Sequence, residues 1–217
     1  ALLYANLLYN NDKWFYALLQ YRRALWIDSD NFEALFGVGL CMYNMQEYKD
    51  AVVAIRRALK IDPYNHSTYF YLGLSLIARN NYKDAIVSLT QSLLLDPDNS
   101  DTYFNLGKSY YETGKIIQAR EAFNRVINID AQYGAAHYYL GLINENIMEI
   151  EKAVESYTWA REYSPEIEDV HYRLGMLLYR TGELKKAMEP LREFIIYQPD
   201  SIHVLEAMGD IFISEFR

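Results

Sequence analysis

The chain has 217 residues and is 51% hydrophobic, 15% aromatic and 23% charged, with 10 Gly and 5 Pro; this excludes a disordered or fibrous chain and is long enough for a sizeable core. A formal net charge of −8 argues against a nucleic-acid binder, which gathers Lys and Arg on one face. No apolar run reaches the roughly 18 residues needed to cross a bilayer, so no membrane insertion is expected, and a lone Cys41 permits no internal disulfide and is compatible with a disulfide-free setting.

From the N-terminus, Ala1, Tyr4 and Leu8 predict the core stripe of a first helix, with Leu2, Leu3 and Leu7 as spare apolar surface. In the next segment Leu35, Val38, Gly39 and Met42 fall at i, i+3, i+4, i+7 and predict a helix, and Tyr48, Ala51, Ile55, Ala58 and Leu59 predict a second. The pair then recurs. Gly39, Gly73, Gly107, Gly141, Gly175 and Gly209 are 34 residues apart, as are Ala17, Ala51, Ala85, Ala119, Ala153 and Ala187. A third ladder holds Ala24, Ala58, Ser92, Val126, Ala160 and Phe194. Fixed spacing of this kind signals a repeat architecture. The small residues let paired helices approach closely, and Asn80, Gly114 and Gly182 sit at equivalent turns, where αL-tolerant residues are favoured. Asp62-Pro63, Asp96-Pro97 and Gln198-Pro199 close the second helices, since proline lacks an N–H and restricts the residue before it.

The units run 1–31, 32–65, 66–99, 100–133, 134–167 and 168–201, followed by a lone helix at 202–217. Asn144 occupies a slot where Tyr is expected. Pro190 falls inside a predicted helix from Glu183 to Tyr197, which should kink or start late there, on a solvent-facing side. At the far end Leu205, Met208 and Phe212 predict the core stripe, leaving Ile211, Ile213 and Phe216 spare. Arrays need polar capping faces, so both ends read as cut, a fragment of a longer chain is expected, and end-to-end self-association would follow.

In register, these residues resemble the tetratricopeptide repeat (TPR) family over the whole chain, best at 100–133 with Tyr103, Leu106-Gly107, Tyr110, Ala119 and Phe123. The resemblance implies an all-α fold of about thirteen helices, stacked as antiparallel pairs in a right-handed solenoid. It also implies that the first helix of each pair lines a concave groove. That face would carry Phe36, Leu40 and Tyr43, then Phe70, Tyr71, Leu74 and Ile77, then Phe104, Asn105, Lys108 and Tyr111. It continues with Tyr138, Tyr139 and Leu142, then Tyr172, Arg173, Met176 and Tyr179. So apolar a face marks a partner site. The aromatic residues would anchor a peptide or helix of another protein, and Asn105, Lys108 and Arg173 would fix its register. The family's carboxylate clamp is absent, since the slot for its first Lys holds Leu2, Phe36, Phe70, Phe104, Tyr138, Tyr172 and Glu206.

No enzyme site is legible. The glycines form no phosphate loop, and His66, His137, His171 and His203 lack metal-ligand spacing, so no metal or cofactor is expected. His137 and His171 stand where Tyr69 and Tyr103 stand in other units, which reads as packing, and Cys41 reads as a small buried hydrophobe. Residues 134–167 set Glu145, Glu149, Glu151, Glu155, Glu162 and Glu166 against Lys152 and Arg161, a solvated surface or an acidic dock. Beside the binding scaffold stand two other readings: an assembly module joining subunits through its ends and convex acidic face, and the regulatory array of an enzyme whose catalytic domain lies elsewhere.

Overall fold

A computed structural model describes residues 1–215, with side chains to Ser214. Among the described residues there are thirteen α-helices and no strand. They are α1 (Leu2–Asn10), α2 (Trp14–Ile27), α3 (Phe32–Asn44), α4 (Tyr48–Ile61), α5 (His66–Ile77), α6 (Tyr82–Leu95), α7 (Ser100–Glu112), α8 (Ile116–Ile129), α9 (Gly134–Asn146), α10 (Ile150–Tyr163), α11 (Glu168–Arg180), α12 (Leu184–Tyr197) and α13 (Ile202–Glu215). They divide into two compact units, Ala1–Ala122 and Phe123–Arg217.

The turns inside the pairs are set by one residue each. Asp12, Gln46, Asn80, Gly114, Met148 and Gly182 have φ between 56° and 82° and stand 34 residues apart. Asn and Gly were the legible members of this series; Gln46 and Met148 hold the left-handed conformation without glycine's freedom. In the first unit α3, α5 and α7 begin at Asn31, Asn65 and Asn99, whose side chains accept from the N–H groups of Ala34, Thr68 and Thr102 at 2.9, 2.9 and 2.8 Å. These caps satisfy N–H groups that have no partner within the helix.

Packing within a pair is glycine against a bulky side chain. A Cβ added at Gly73 would stand 2.6 Å from Leu89 Cδ2; at Gly141 it would stand 2.5 Å from Tyr157 Cδ1, and at Gly175 2.5 Å from Leu191 Cδ2. Gly39 meets Ile55 in the same way. Leu89, Tyr157, Leu191 and Ile55 are all fully buried, as are Ala51, Ala85, Ala153 and Ala187.

Three sequence expectations are corrected. In α1 the buried residues are Ala5 and Leu8, while Ala1 and Tyr4 are exposed and Leu2 is half-buried against the core. Leu3 and Leu7 take the places of Gly37 and Cys41, which are buried on α3, Gly37 against Tyr21 of α2; no described helix covers that side of α1. In α13 the buried stripe is Val204, Ala207 and Ile211, one position earlier than expected. That face meets α11 and α12, whereas Leu205 and Phe212 are exposed. Ile211 is therefore core, Ile213 is exposed, and Phe216 lies outside the described residues. Finally, α12 starts on time at Leu184 and does not start late at Pro190, which is buried and not solvent-facing. The carbonyl that loses its N–H partner belongs to Lys186, an exposed residue.

Candidate functional site

All eighteen residues of the predicted face are of intermediate exposure, neither enclosed in the core nor free of it. In the first unit they lie on α3, α5 and α7. Tyr71 is the centre of a ring cluster, 6.0 Å from Phe36, 5.8 Å from Tyr43 and 5.4 Å from Phe70, each edge to face. Such edge contacts suit the quadrupoles of the rings and hold them in place. Phe32 stacks on Phe36 at 5.9 Å. On α7 the Lys108 ammonium sits 5.7 Å from the Phe104 ring centre, and Asn105 donates from Nδ2 to the Asp101 carbonyl at 2.8 Å.

Phe36 and Leu40 also line a cleft of about 320 Å³ with Asn6, Tyr9 and Asn10 of α1. Its polar wall is pre-ordered. The Tyr21 hydroxyl donates to Asn6 Oδ1 at 2.6 Å, Asn6 Nδ2 donates to Glu33 Oε1 at 2.7 Å, and Asn44 Nδ2 donates to the Tyr9 hydroxyl at 3.0 Å. Burial pushes the Tyr21 phenol up to about 12, so it stays a donor at neutral pH. Asn6, Asn10 and Glu33 were not legible as site residues, because they stand outside the glycine, alanine and proline ladders.

In the second unit the face carries an internal polar network. The Tyr138 hydroxyl donates to Asp169 Oδ2 at 2.7 Å, and Arg173 donates from Nε to the same oxygen. Arg173 reaches Glu145 Oε2 at 3.3 Å, where the Tyr157 hydroxyl also donates at 2.8 Å, while Arg180 reaches Glu145 Oε1 at 3.0 Å. Burial opposes the charge of Arg173, but the hydrogen bond and charge of Asp169 outweigh it and raise its pKa. Burial and the acceptor Asp169 raise Tyr138, and burial and Glu145 raise Tyr157. Arg173 is thus committed to its own chain. Tyr139 stacks on Phe123 at 5.0 Å, Tyr172 packs on Phe194 at 5.2 Å, and Leu142 and Met176 pack against the core. The Tyr179 hydroxyl donates to Asp210 Oδ2 at 2.7 Å.

The remaining singled-out residues have structural partners. Asn144 is buried and donates to Ser156 Oγ at 3.2 Å, so a polar pair fills the tyrosine slot. His137 and His171 are buried and bond to the carbonyls of Ala131 and Pro165 at 2.9 and 2.8 Å, tying down the turn before their helices. Cys41 is buried, and burial pushes its thiol up to about 12, out of reactive range. No group of three metal-ligating side chains occurs among the described residues, and no helix there is long and apolar enough to cross a membrane.

Three tetratricopeptide-repeat profiles match the chain, over residues 32–65, 76–142 and 149–201. No curated protein matches the sequence. Among solved structures, the chain is similar to MamA at 25% identity and TM-score 0.68, over 75% of this chain and 95% of that one. It is similar to YrrB, described as a TPR protein with an unusual peptide-binding site, at 20% identity and TM-score 0.71, over 87% and 97%. It is also similar to pilF of Pseudomonas aeruginosa at 18% identity and TM-score 0.82, over 96% and 95%.

Proposed function

The chain belongs to the tetratricopeptide repeat family, an all-α superhelical-repeat fold and a protein-interaction scaffold, and on that premise we propose that the aromatic face of its first helices holds a peptide segment or helix of a partner protein. The observation that carries this reading is the half-exposed ring cluster of Phe36, Tyr43, Phe70 and Tyr71 on α3 and α5. Rings locked edge to face lose little freedom on binding, and apolar area kept half open at this density supports a partner site. The cleft between Phe36, Leu40 and α1 supplies amide and phenol groups for a partner's backbone. Asn105 and Lys108 add polar contacts on α7. Arg173, engaged by Asp169 and Glu145, acts by holding Tyr138 in position and not as a direct contact.

A photo-crosslinking amino acid placed at position 70 tests this reading against the same group at Val53, an exposed residue of α4. The reading expects a crosslinked partner peptide from position 70 and none from 53. Crosslinks from 53 alone would place the site on the second helices.

A further inference from the structure

Gly37 stands outside the 34-residue glycine ladder, and its equivalents in the later repeats, Tyr71, Asn105, Tyr139 and Arg173, all carry side chains. Between α3 and α5 that side chain fills the seam, since the Tyr71 ring lies 6.0 Å from Phe36 and 5.8 Å from Tyr43. Between α1 and α3 the glycine leaves the same place open. The Tyr21 ring forms its floor, with Cζ only 2.4 Å from where a Cβ at Gly37 would stand. Beside it lies the cleft of about 320 Å³ walled by Tyr9, Phe36 and Leu40. The opening is therefore set by one residue, between two helices that are both described. One charge faces it. Glu33 lines the cleft, and no Lys or Arg occurs on α1, α3 or α5. Its carboxylate is held by a relay, in which the Tyr21 hydroxyl donates to Asn6 Oδ1 and so turns Asn6 Nδ2 towards Glu33 Oε1. Asn6 departs from the repeat as well, for its equivalents include Leu40, Leu74 and Leu142. A carboxylate engaged through one oxygen keeps the other for a second donor.

We infer that this cleft receives an arginine side chain of the partner segment, with its guanidinium on Glu33 and its methylene stem against Tyr9, Phe36 and Leu40. The inference rests on the reading of the aromatic face as the partner site, and it names one residue of that partner. A carboxylate with no cation on either wall favours a cationic group, and charge-assisted hydrogen bonds are roughly twice as strong as neutral ones. The walls suit the rest of the side chain. Apolar surface covers the methylenes of a long basic residue. A planar guanidinium also lies well against an aromatic ring, which a strongly hydrated ammonium does less readily. At about 320 Å³ the cleft has room for one long side chain and not for a helix. It therefore selects a single residue, while the amide of Asn10 and the phenol of Tyr9 remain for the backbone on either side.

The probes are three N-acetylated tripeptide amides with leucine at both ends and arginine, lysine or citrulline at the centre. Citrulline keeps the shape of arginine without its charge. Titrated into the isotope-labelled 217-residue protein, the arginine peptide should give saturable NMR shifts at Glu33, Phe36, Gly37 and Leu40. It should bind about fivefold or more tighter than the citrulline peptide. Glu33→Gln keeps an acceptor for Asn6 while removing the charge, and should erase that preference. The inference is overturned if the arginine and citrulline peptides bind alike, if the shifts fall elsewhere, or if Glu33→Gln retains the preference. A lysine peptide that binds as tightly as the arginine one would overturn the choice of guanidinium. A photo-crosslinking group at Leu40 that joins only to other parts of its own chain would overturn the assignment to a partner. The crosslink from position 70 decides the aromatic face separately: a crosslinked peptide there, with no arginine preference at Glu33, keeps the face and overturns only the cleft.

Discussion

Glu193 accepts from Nε and Nη2 of Arg161 at 2.6 and 2.8 Å and lies 2.8 Å from Nδ1 of His171, so one carboxylate ties α10, α11 and α12 together. The Arg161 hydrogen bond and charge hold the Glu193 carboxyl below its ordinary value of 4.5, against burial, with His171 adding to the effect. A lowered folded value means that the unfolded chain binds the proton more readily. The stabilisation is then complete above the ordinary value and is lost as pH falls through the folded one. The thermal midpoint of the parent should exceed that of Glu193→Gln most at neutral pH, and the gap should close as pH drops below the ordinary glutamate range. A gap that persists undiminished into acid would show that the ion pair contributes nothing.

At the scale of helices, the 34-residue ladders made the pairs legible because each rung answers a steric demand that returns in every repeat. Gly73 is one such rung. Gly73→Leu would drive its side chain into Leu89, 2.6 Å from the first added carbon, and should cost about 1–3 kcal/mol or more as an overpacking change. Gly209→Leu, the same substitution in the same register, meets no neighbour and should leave the thermal midpoint unchanged or raise it. Equal losses in both variants would refute the role given to glycine in packing the paired helices. The ladders failed at α1 and α13, the first and last of the described helices. The residue types of α1 and α13 follow the repeat, but which of them are buried depends on the helix beside them, and the sequence of the helix itself does not carry that. Pro190 misled for a related reason: its cost was legible, while the exposure of Lys186 and the burial of the ring depend on the packing around α12.

For the molecule as a whole, the candidate face was legible as a set of positions but not as a set of roles. The family resemblance picked out Phe36, Tyr43, Phe70 and Tyr71 on the first helices, and the fold joins them into one half-exposed cluster. It could not tell that Arg173 is consumed: Asp169 stands one turn before it on α11, but the bond to Glu145 crosses from α11 to α9. The glutamate-rich segment also divides. Glu145 is bound by Arg173, Arg180 and Tyr157, while Glu151, Glu155 and Glu162 stay exposed on α10. Exposed charges of that kind chiefly alter association rate and salt dependence. Buried aromatics near an interface centre each cost about 2 kcal/mol or more on truncation. The most direct measurement is therefore the affinity of a Phe70→Ala, Phe104→Ala double variant, first shown to be folded by circular dichroism, for the crosslinked partner peptide. The aromatic-face account predicts a loss of about thirtyfold or more, with Glu149→Lys, Glu155→Lys binding much as the parent does. Unchanged affinity in the aromatic variant, with binding abolished by the two lysine substitutions, would contradict it and place the partner on the acidic face of α10.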